Sequence, residues 1–205
     1  MKLYGFPPSP NTRKVQAVAV HLGVPLEFEF VDITKGQSRT PGFLALNPCG
    51  RTPVLVDGPF KLWESNAIMQ YIASQKENSL WPQGARLRAD ISRWQFWQVA
   101  HWHEGCGGFL WENLVKKLLL GVDTDAAALK RAEEAFHRDA PVLDAHLAQH
   151  EYLAGGALSL ADFSVASYLH YAAQAGLPLE PYGNIRAWYA RIEALPAWQQ
   201  TAPKM

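Results

Sequence analysis

The chain has few cysteines and no excess of charge of either sign. It contains only two cysteines, Cys49 and Cys106, in 205 residues. Two thiols are too few for a disulfide-framed secreted domain or a four-thiolate zinc site. Lys and Arg together number 19, as do Asp and Glu, so the formal net charge is zero. A neutral chain is a poor candidate for binding nucleic acid or an acidic membrane by charge, and we expect neither as a partner.

Long apolar segments are also missing. No run approaches the 18 or so residues that a membrane-spanning helix needs. The N-terminal sequence MKLYGFPPSP lacks the apolar segment and the small-residue cleavage site of a signal peptide. Hydrophobic residues make up 48% of the chain and charged residues 19%, which excludes disorder as the main state. We therefore expect a folded cytoplasmic protein.

The first part of the chain predicts alternating strands and helices. A strand at residues 2–6, a helix ending at Gly23 and a strand at residues 26–31 form a βαβ unit. Asp57-Gly58 then predicts a hairpin between strands at 54–56 and 60–63. A helix with Ser65 placed as its cap follows. The order is βαβ followed by ββα.

The second part predicts helices only. We expect a kink or break near Gly105, Gly107 and Gly108 and a kink at Pro141. Ser159 to Asp162 fits a capping box before an apolar run. His101 and His103 lie two apart, about 200° around a helix, whereas metal-binding pairs prefer a spacing of three or four. No metal site is predicted.

Three segments carry polar groups where a ligand could bind. Ser9 and Asn11 stand where the first helix begins, a place that favours an anion, although a serine there usually serves only as a cap. Thr52-Pro53 directly precedes a strand, where a cis bond is one alternative to an ordinary edge proline. Glu64 and Ser65 open another helix and suit an α-amino acid group, with plain capping as the alternative.

Taken together and in this order, these segments resemble the glutathione S-transferase family. The matching segments are SPNTRKV from Ser9, NPCGRTPVL from Asn47, ESNAI from Glu64 and SLADF from Ser159. The resemblance covers nearly the whole chain and is to serine-type members: plant phi, theta-like and bacterial nu types. It implies an α/β plus all-α fold, with a thioredoxin-like glutathione-binding domain over 1–78 that holds a mixed four-stranded sheet, a linker over 79–85 and an all-helical domain over 86–205.

The resemblance also assigns roles to residues. It makes Ser9 the group that stabilises the glutathione thiolate, with Asn11 as a helper, because a free thiol with a pKa of about 8.5 is mostly protonated at pH 7. It makes Asp162 a folding residue without substrate contact. The glutathione contacts that it implies are Ser9, Arg39, Arg51, Thr52, Pro53, Glu64 and Ser65.

A small hydrophobic electrophile is the implied second substrate, with glutathione as co-substrate and no further cofactor. The three glycines at 105–108 are expected to open space beside the sulfur. A homodimer is implied, although Cys49 replaces an aromatic residue that some classes insert into the dimer interface. The pocket residues expected for the electrophile are Phe6, Pro7, Trp102, His103, Cys106 and Phe109.

Three functions remain open from the sequence. The first is transfer of glutathione to an electrophile. The second is glutathione-dependent reduction of disulfides or peroxides, as in nu-type members, which resemble the Ser9 and Asn11 loop. The third is a non-catalytic binding module, against which the presence of Ser9, Glu64 and Ser65 argues.

Overall fold

The computed structural model describes residues 1–203, and Lys204 and Met205, which end the predicted helical domain, lie outside the described residues. The chain divides into two compact units. The first is Met1–Trp81 with the segment that starts at Leu195, and the second is Pro82–Ala194. The division at Trp81 falls within the predicted linker.

A mixed four-stranded sheet forms the centre of the first unit, with the order β2-β1-β3-β4. β1 pairs in parallel with β2 and antiparallel with β3, and β3 and β4 form the predicted hairpin. This confirms the thioredoxin-like βαβ-ββα arrangement. The strands are β1 (Lys2–Gly5), β2 (Glu27–Phe30), β3 (Val54–Asp57) and β4 (Phe60–Trp63).

Three α-helices lie in the first unit before the division. Pro10 occupies the first turn of α1, and Gly23 ends that helix with a left-handed φ of 61°, as predicted. The connection between β2 and β3 contains the short helix α2 and two 3-10 turns, Ile33–Lys35 and Gln37–Arg39. The helices are α1 (Pro10–Leu22), α2 (Pro41–Leu44) and α3 (Ser65–Ala73).

The second unit is built from helices, as predicted. Its α-helices are α4 (Ala85–Trp97), α5 (His103–Leu110), α6 (Lys116–Leu120), α7 (Ala126–Leu147), α8 (Leu160–Ala166), α9 (Ala172–Ala175) and α10 (Gly183–Glu193). α7 continues through Pro141. In the part of the chain that the structure describes, no helix combines the length and apolar character needed to cross a membrane.

Gly105 and Gly108 of α5 serve packing, and the helix does not break at the glycines, the first of the two predicted alternatives being a kink. Helical backbone runs through them, and it changes to π pitch before and after, at Gln98–Trp102 and Trp111–Val115. A Cβ on Gly105 would lie 2.8 Å from backbone atoms of Phe136, and one on Gly108 would lie 2.6 Å from the Ala132 Cβ. The space gained at Gly105 and Gly108 is therefore filled by α7, not opened to a substrate.

Asp162 organises the start of α8 through a complete capping box, which confirms that prediction. Its Oδ2 accepts from the Ser159 N–H (2.9 Å) and Oγ–H (3.0 Å). Its Oδ1 accepts from the Leu153 N–H and the Trp188 indole N–H, both at 3.0 Å. Burial raises the pKa of the Asp162 carboxyl, and these four donors oppose that effect. The carboxylate therefore joins the start of α8 to the chain at Leu153 and to α10 at Trp188.

The end of the described chain belongs to the first unit, which the sequence did not indicate. Helix α11 (Pro196–Gln200) packs on α1. Arg13 of α1 is 2% exposed, and its Nη2 donates to the Trp198 carbonyl oxygen at 2.9 Å. Its guanidinium lies 4.2 Å from the centre of the Trp198 ring, a cation–π contact. The buried guanidinium of Arg13 is thus stabilised by its contacts with Trp198 of α11.

Replacing Asp162 with Ala leaves four buried donors without their acceptor. Because one unsatisfied buried donor costs roughly 1–3 kcal/mol, we expect the free energy of unfolding to fall by about 3 kcal/mol or more. Urea unfolding of Asp162→Ala measures the loss, with the exposed Asp123→Ala as matched control. A loss no larger than that of the control would contradict the role assigned to this carboxylate.

Candidate functional site

Ser9 precedes α1 in a loop that leaves the carboxyl end of β1. Its own N–H donates to the Phe6 carbonyl oxygen at 2.9 Å, and its carbonyl oxygen accepts from the Arg13 N–H at 3.0 Å. Among the described residues its side chain forms no capping bond with the start of the helix. The alternative that Ser9 is only a helix cap is therefore not supported, and the partly exposed hydroxyl stands beside the free N–H groups of α1.

A hydrogen bond joins the starts of α1 and α3. The Ser65 Oγ donates to the Asn11 Oδ1 at 3.2 Å, and Ser65 is 8% exposed. Ser65 is the first residue of α3 and not its cap, which corrects the prediction, because Glu64 takes the capping position. The hydroxyl turns toward α1 instead.

Glu64 has a backbone conformation that few residues other than glycine adopt. Its φ is 73° and its ψ 107°, and it is the one non-glycine residue with positive φ among residues 1–203. Such a conformation costs about 1–3 kcal/mol and persists only where the surroundings fix it. The Glu64 side chain is exposed, and its carbonyl oxygen accepts from the Ile68 N–H at 2.9 Å. The surroundings therefore fix this residue, and with it a carboxylate, at the start of α3.

Lys14 lies on the buried side of the contact between the starts of α1 and α3, which we call the junction. It was not among the residues predicted from the sequence. The side chain is fully buried, and its Nζ donates to the Asn66 Oδ1 at 2.8 Å. Burial lowers the pKa of Lys14 to about 7, and the Glu64 carboxylate opposes that shift. The available signal was a charged residue inside the apolar pattern of α1, directly before the buried Val15.

The turn before β3 holds the other predicted contacts. The Thr52–Pro53 bond is cis, as the sequence suggested as one alternative. The buried Asn47 side chain braces the turn, donating to the Arg51 carbonyl oxygen at 2.7 Å and accepting from the Cys49 N–H at 3.0 Å. Arg39 reaches the same turn, where its Nη1 donates to the Cys49 carbonyl oxygen at 3.3 Å. Both Arg39 and Arg51 are exposed.

The predicted electrophile residues differ in burial. The Trp102 Nε1 donates to the Val165 carbonyl oxygen at 3.2 Å, and Trp102 and Cys106 are fully buried. Burial raises the pKa of the Cys106 thiol, which disfavours the reactive thiolate. Phe109 is 6% exposed against Phe136. These positions favour a packing role for all three.

The remaining candidates keep accessible surface. Phe6 stacks on Phe30 with 6.2 Å between ring centres, and Pro7 follows it in the Ser9 loop. His103 is exposed, with its Nδ1 2.7 Å from the Tyr168 hydroxyl.

Fold and site together define a thioredoxin-like ligand-binding domain followed by a helical domain. Ligands of open α/β sheets bind at the carboxyl ends of strands, which is where Ser9 lies. Residues 1–74 match the family described as "Glutathione S-transferase, N-terminal domain", and residues 126–191 match "Glutathione S-transferase, C-terminal domain".

Relatives match along nearly their whole length. The chain is 38% identical to "Glutathione S-transferase 3" of Zea mays, covering 98% of this chain and 92% of the relative. It is 31% identical to "Glutathione S-transferase F10" of Arabidopsis thaliana, covering 95% and 93%. The solved theta-class glutathione S-transferase of Xanthomonas axonopodis pv. citri, with glutathione bound, is 32% identical over 100% of this chain and 97% of that chain, with a TM-score of 0.87. The chain belongs to the glutathione S-transferase family.

The strain at Glu64 predicts an unusual ranking of two variants. Both Glu64→Gly and Glu64→Ala remove the carboxylate, but only glycine adopts a φ of 73° without a steric penalty. We expect the free energy of unfolding of Glu64→Gly to exceed that of Glu64→Ala by about 1 kcal/mol. Urea unfolding of the two proteins makes the comparison, and an alanine variant as stable as the glycine variant would contradict strain at this position.

Proposed function

We propose that this protein is a glutathione transferase that stabilises the glutathione thiolate for attack on a small hydrophobic electrophile. The observation that carries the proposal is the Ser9 hydroxyl at the start of α1, uncommitted to capping among the described residues. The bound glutathione named for the Xanthomonas relative supports the choice of co-substrate.

The γ-glutamyl end of glutathione binds where α3 begins. The Glu64 carboxylate pairs with the α-ammonium, and the α-carboxylate takes the Ser65 hydroxyl and the first N–H groups of α3. The Ser65 hydroxyl has a single proton, which it donates to Asn11 in this structure. A charged carboxylate is a stronger acceptor than an amide oxygen, so binding redirects that proton to the ligand. The 2.8 Å bond from Lys14 to Asn66 then still attaches the start of α3 to α1.

The sulfur lies at Ser9. The Ser9 hydroxyl donates to the thiolate, and the partial positive charge at the start of α1 adds to its stabilisation. Asn11 contributes through its amide nitrogen, since its oxygen faces Ser65. Lowering a thiol pKa by one unit corresponds to about 1.4 kcal/mol, which one or two hydrogen bonds to an anion can supply.

The rest of glutathione follows the turn before β3. The cysteinyl backbone pairs with Thr52 beside Pro53. Arg39 and Arg51 are exposed cations that suit the glycine carboxylate. Phe6 and Pro7, which precede Ser9 in its loop, are the first unit's candidates for contact with the electrophile.

We also propose a cytoplasmic homodimer. The exposed aromatic residues of β4, Phe60 and Trp63, support an interface between copies, because large apolar side chains at a surface favour association.

Parallel assays with glutathione separate the candidate functions. The second candidate, disulfide or peroxide reduction, is favoured by Asn11 standing near Ser9. We expect turnover with a chloronitrobenzene to exceed turnover with a mixed disulfide. The reverse ranking would assign the protein to the reductases, and no turnover of either while glutathione still binds would indicate a binding module.

Ser9→Ala should weaken thiolate formation without weakening glutathione binding. We expect the rate near neutral pH to fall roughly 10–100-fold, equal to one or two lost units of thiol stabilisation. Activity should recover at high pH, where the thiol ionises without help. The thiolate absorbance and the pH–rate profile are the measurements, with the exposed Ser79→Ala as control. If Ser9→Ala with Asn11→Ala keeps the wild-type profile, another group holds the sulfur.

A further inference from the structure

We propose that Lys14 is a positioning residue for glutathione binding, whose buried ammonium fixes the start of α3 and supplies a positive charge beneath the γ-glutamyl site. The inference rests on the proposed function, because it concerns the same Glu64 and Ser65 site. Lys14 lies on the interior side of that site, so it acts through Asn66 and Glu64.

Two hydrogen bonds attach the start of α3 to α1. Asn11 and Lys14 stand three residues apart, so they share one face of α1. Asn11 accepts from Ser65 at 3.2 Å, and Lys14 donates to Asn66 at 2.8 Å. The two bonds hold consecutive residues directly after Glu64. This bracing accounts for the strained Glu64 backbone, which the surroundings must enforce.

A fully buried lysine is costly unless its charge is used. Leucine would serve packing at such a position, whereas Lys14 places an ammonium next to the acceptor side chain of Asn66. Glu64 is the acidic group that stabilises its charge. S-methylglutathione carries two carboxylates and one ammonium near neutral pH, a net charge of −1. A buried cation below the site therefore favours its binding.

Few other groups can titrate near Lys14. α1 contributes two such groups. Arg13 donates to the Trp198 carbonyl oxygen. Burial lowers the pKa of His21 from its ordinary value of 6.5. α3 adds Tyr71, whose pKa is raised by the Asp57 carboxylate, and α11 has no charged residue within Pro196–Gln200. Lys14, with a pKa of about 7, is thus a group at this junction that changes charge between pH 6 and 8.5.

The sign of the pH effect follows. Lys14 is charged below pH 7 and neutral above it, so affinity for an anionic ligand should fall as pH rises. S-methylglutathione has no ionisable thiol, and its α-ammonium begins to titrate only toward the upper end of this range, a contribution that Lys14→Met shares with the wild type. We expect wild-type affinity to fall about three- to tenfold between pH 6 and pH 8.5.

Isothermal titration with S-methylglutathione across this range tests the proposal. Lys14→Met keeps the length of the side chain without the charge, and Lys130→Met is a matched control at an exposed lysine. We expect Lys14→Met to bind weakly at pH 6 and to change less than twofold with pH. The wild-type affinity should fall to meet it at pH 8.5, and Lys130→Met should follow the wild type.

Asn66→Leu keeps the test valid if Lys14→Met does not fold, because it removes the acceptor of the 2.8 Å bond and leaves Lys14 in place. It should also lower the affinity at pH 6. Wild-type affinity at pH 6 in Lys14→Met, or a pH dependence that persists in it, would overturn the proposal. Wild-type protein that does not bind S-methylglutathione, or Glu64→Ala that binds it normally, would instead remove the proposed site and the inference with it.

Discussion

The junction between the starts of α1 and α3 is the constraint on which the candidate site depends. Asn11 and Lys14 of one helix bond Ser65 and Asn66 of the other. These bonds place Glu64 at an unfavourable backbone conformation, with its carboxylate on the exposed side. We infer that without the junction the backbone at Glu64 would relax and the carboxylate would lose its position. The unfavourable conformation is thus a structural cost of presenting this carboxylate.

The groups proposed to bind the γ-glutamyl part of glutathione and the group proposed to stabilise its sulfur stand at the starts of different helices. In the proposed function, Glu64 and Ser65 bind the part of glutathione that does not react. Ser9, at the start of α1, is proposed to face the part that does. Because both sets of groups begin helices on the same sheet, the distance between them is set by packed secondary structure and not by flexible loops.

Much of the fold could be predicted from the sequence, because its signals are local. Gly23 at the end of α1, the Asp57-Gly58 turn and the Ser159 to Asp162 capping box each act within a few residues. Packing between distant segments could not be predicted in this way. Gly105 and Gly108 have the same local pattern whether they open a pocket or admit a neighbouring helix, and only the position of α7 decides.

The candidate site shows the same limit. Ser9, Glu64 and Ser65 stand at helix starts, where a motif is visible along the chain, although Ser65 was wrongly expected to cap α3. Lys14 and Asn66 come together across 52 positions, and Arg13 meets Trp198 across 185. A lysine within a helix is usually exposed, so its burial follows from the tertiary structure alone.

The position of glutathione in a crystal of the complex tests the central claim most directly. The account predicts the α-ammonium within hydrogen-bond distance of the Glu64 carboxylate, the α-carboxylate on Ser65, and the sulfur within hydrogen-bond distance of the Ser9 hydroxyl. Glutathione bound with its γ-glutamyl group away from the start of α3, or with its sulfur out of reach of Ser9, would contradict it.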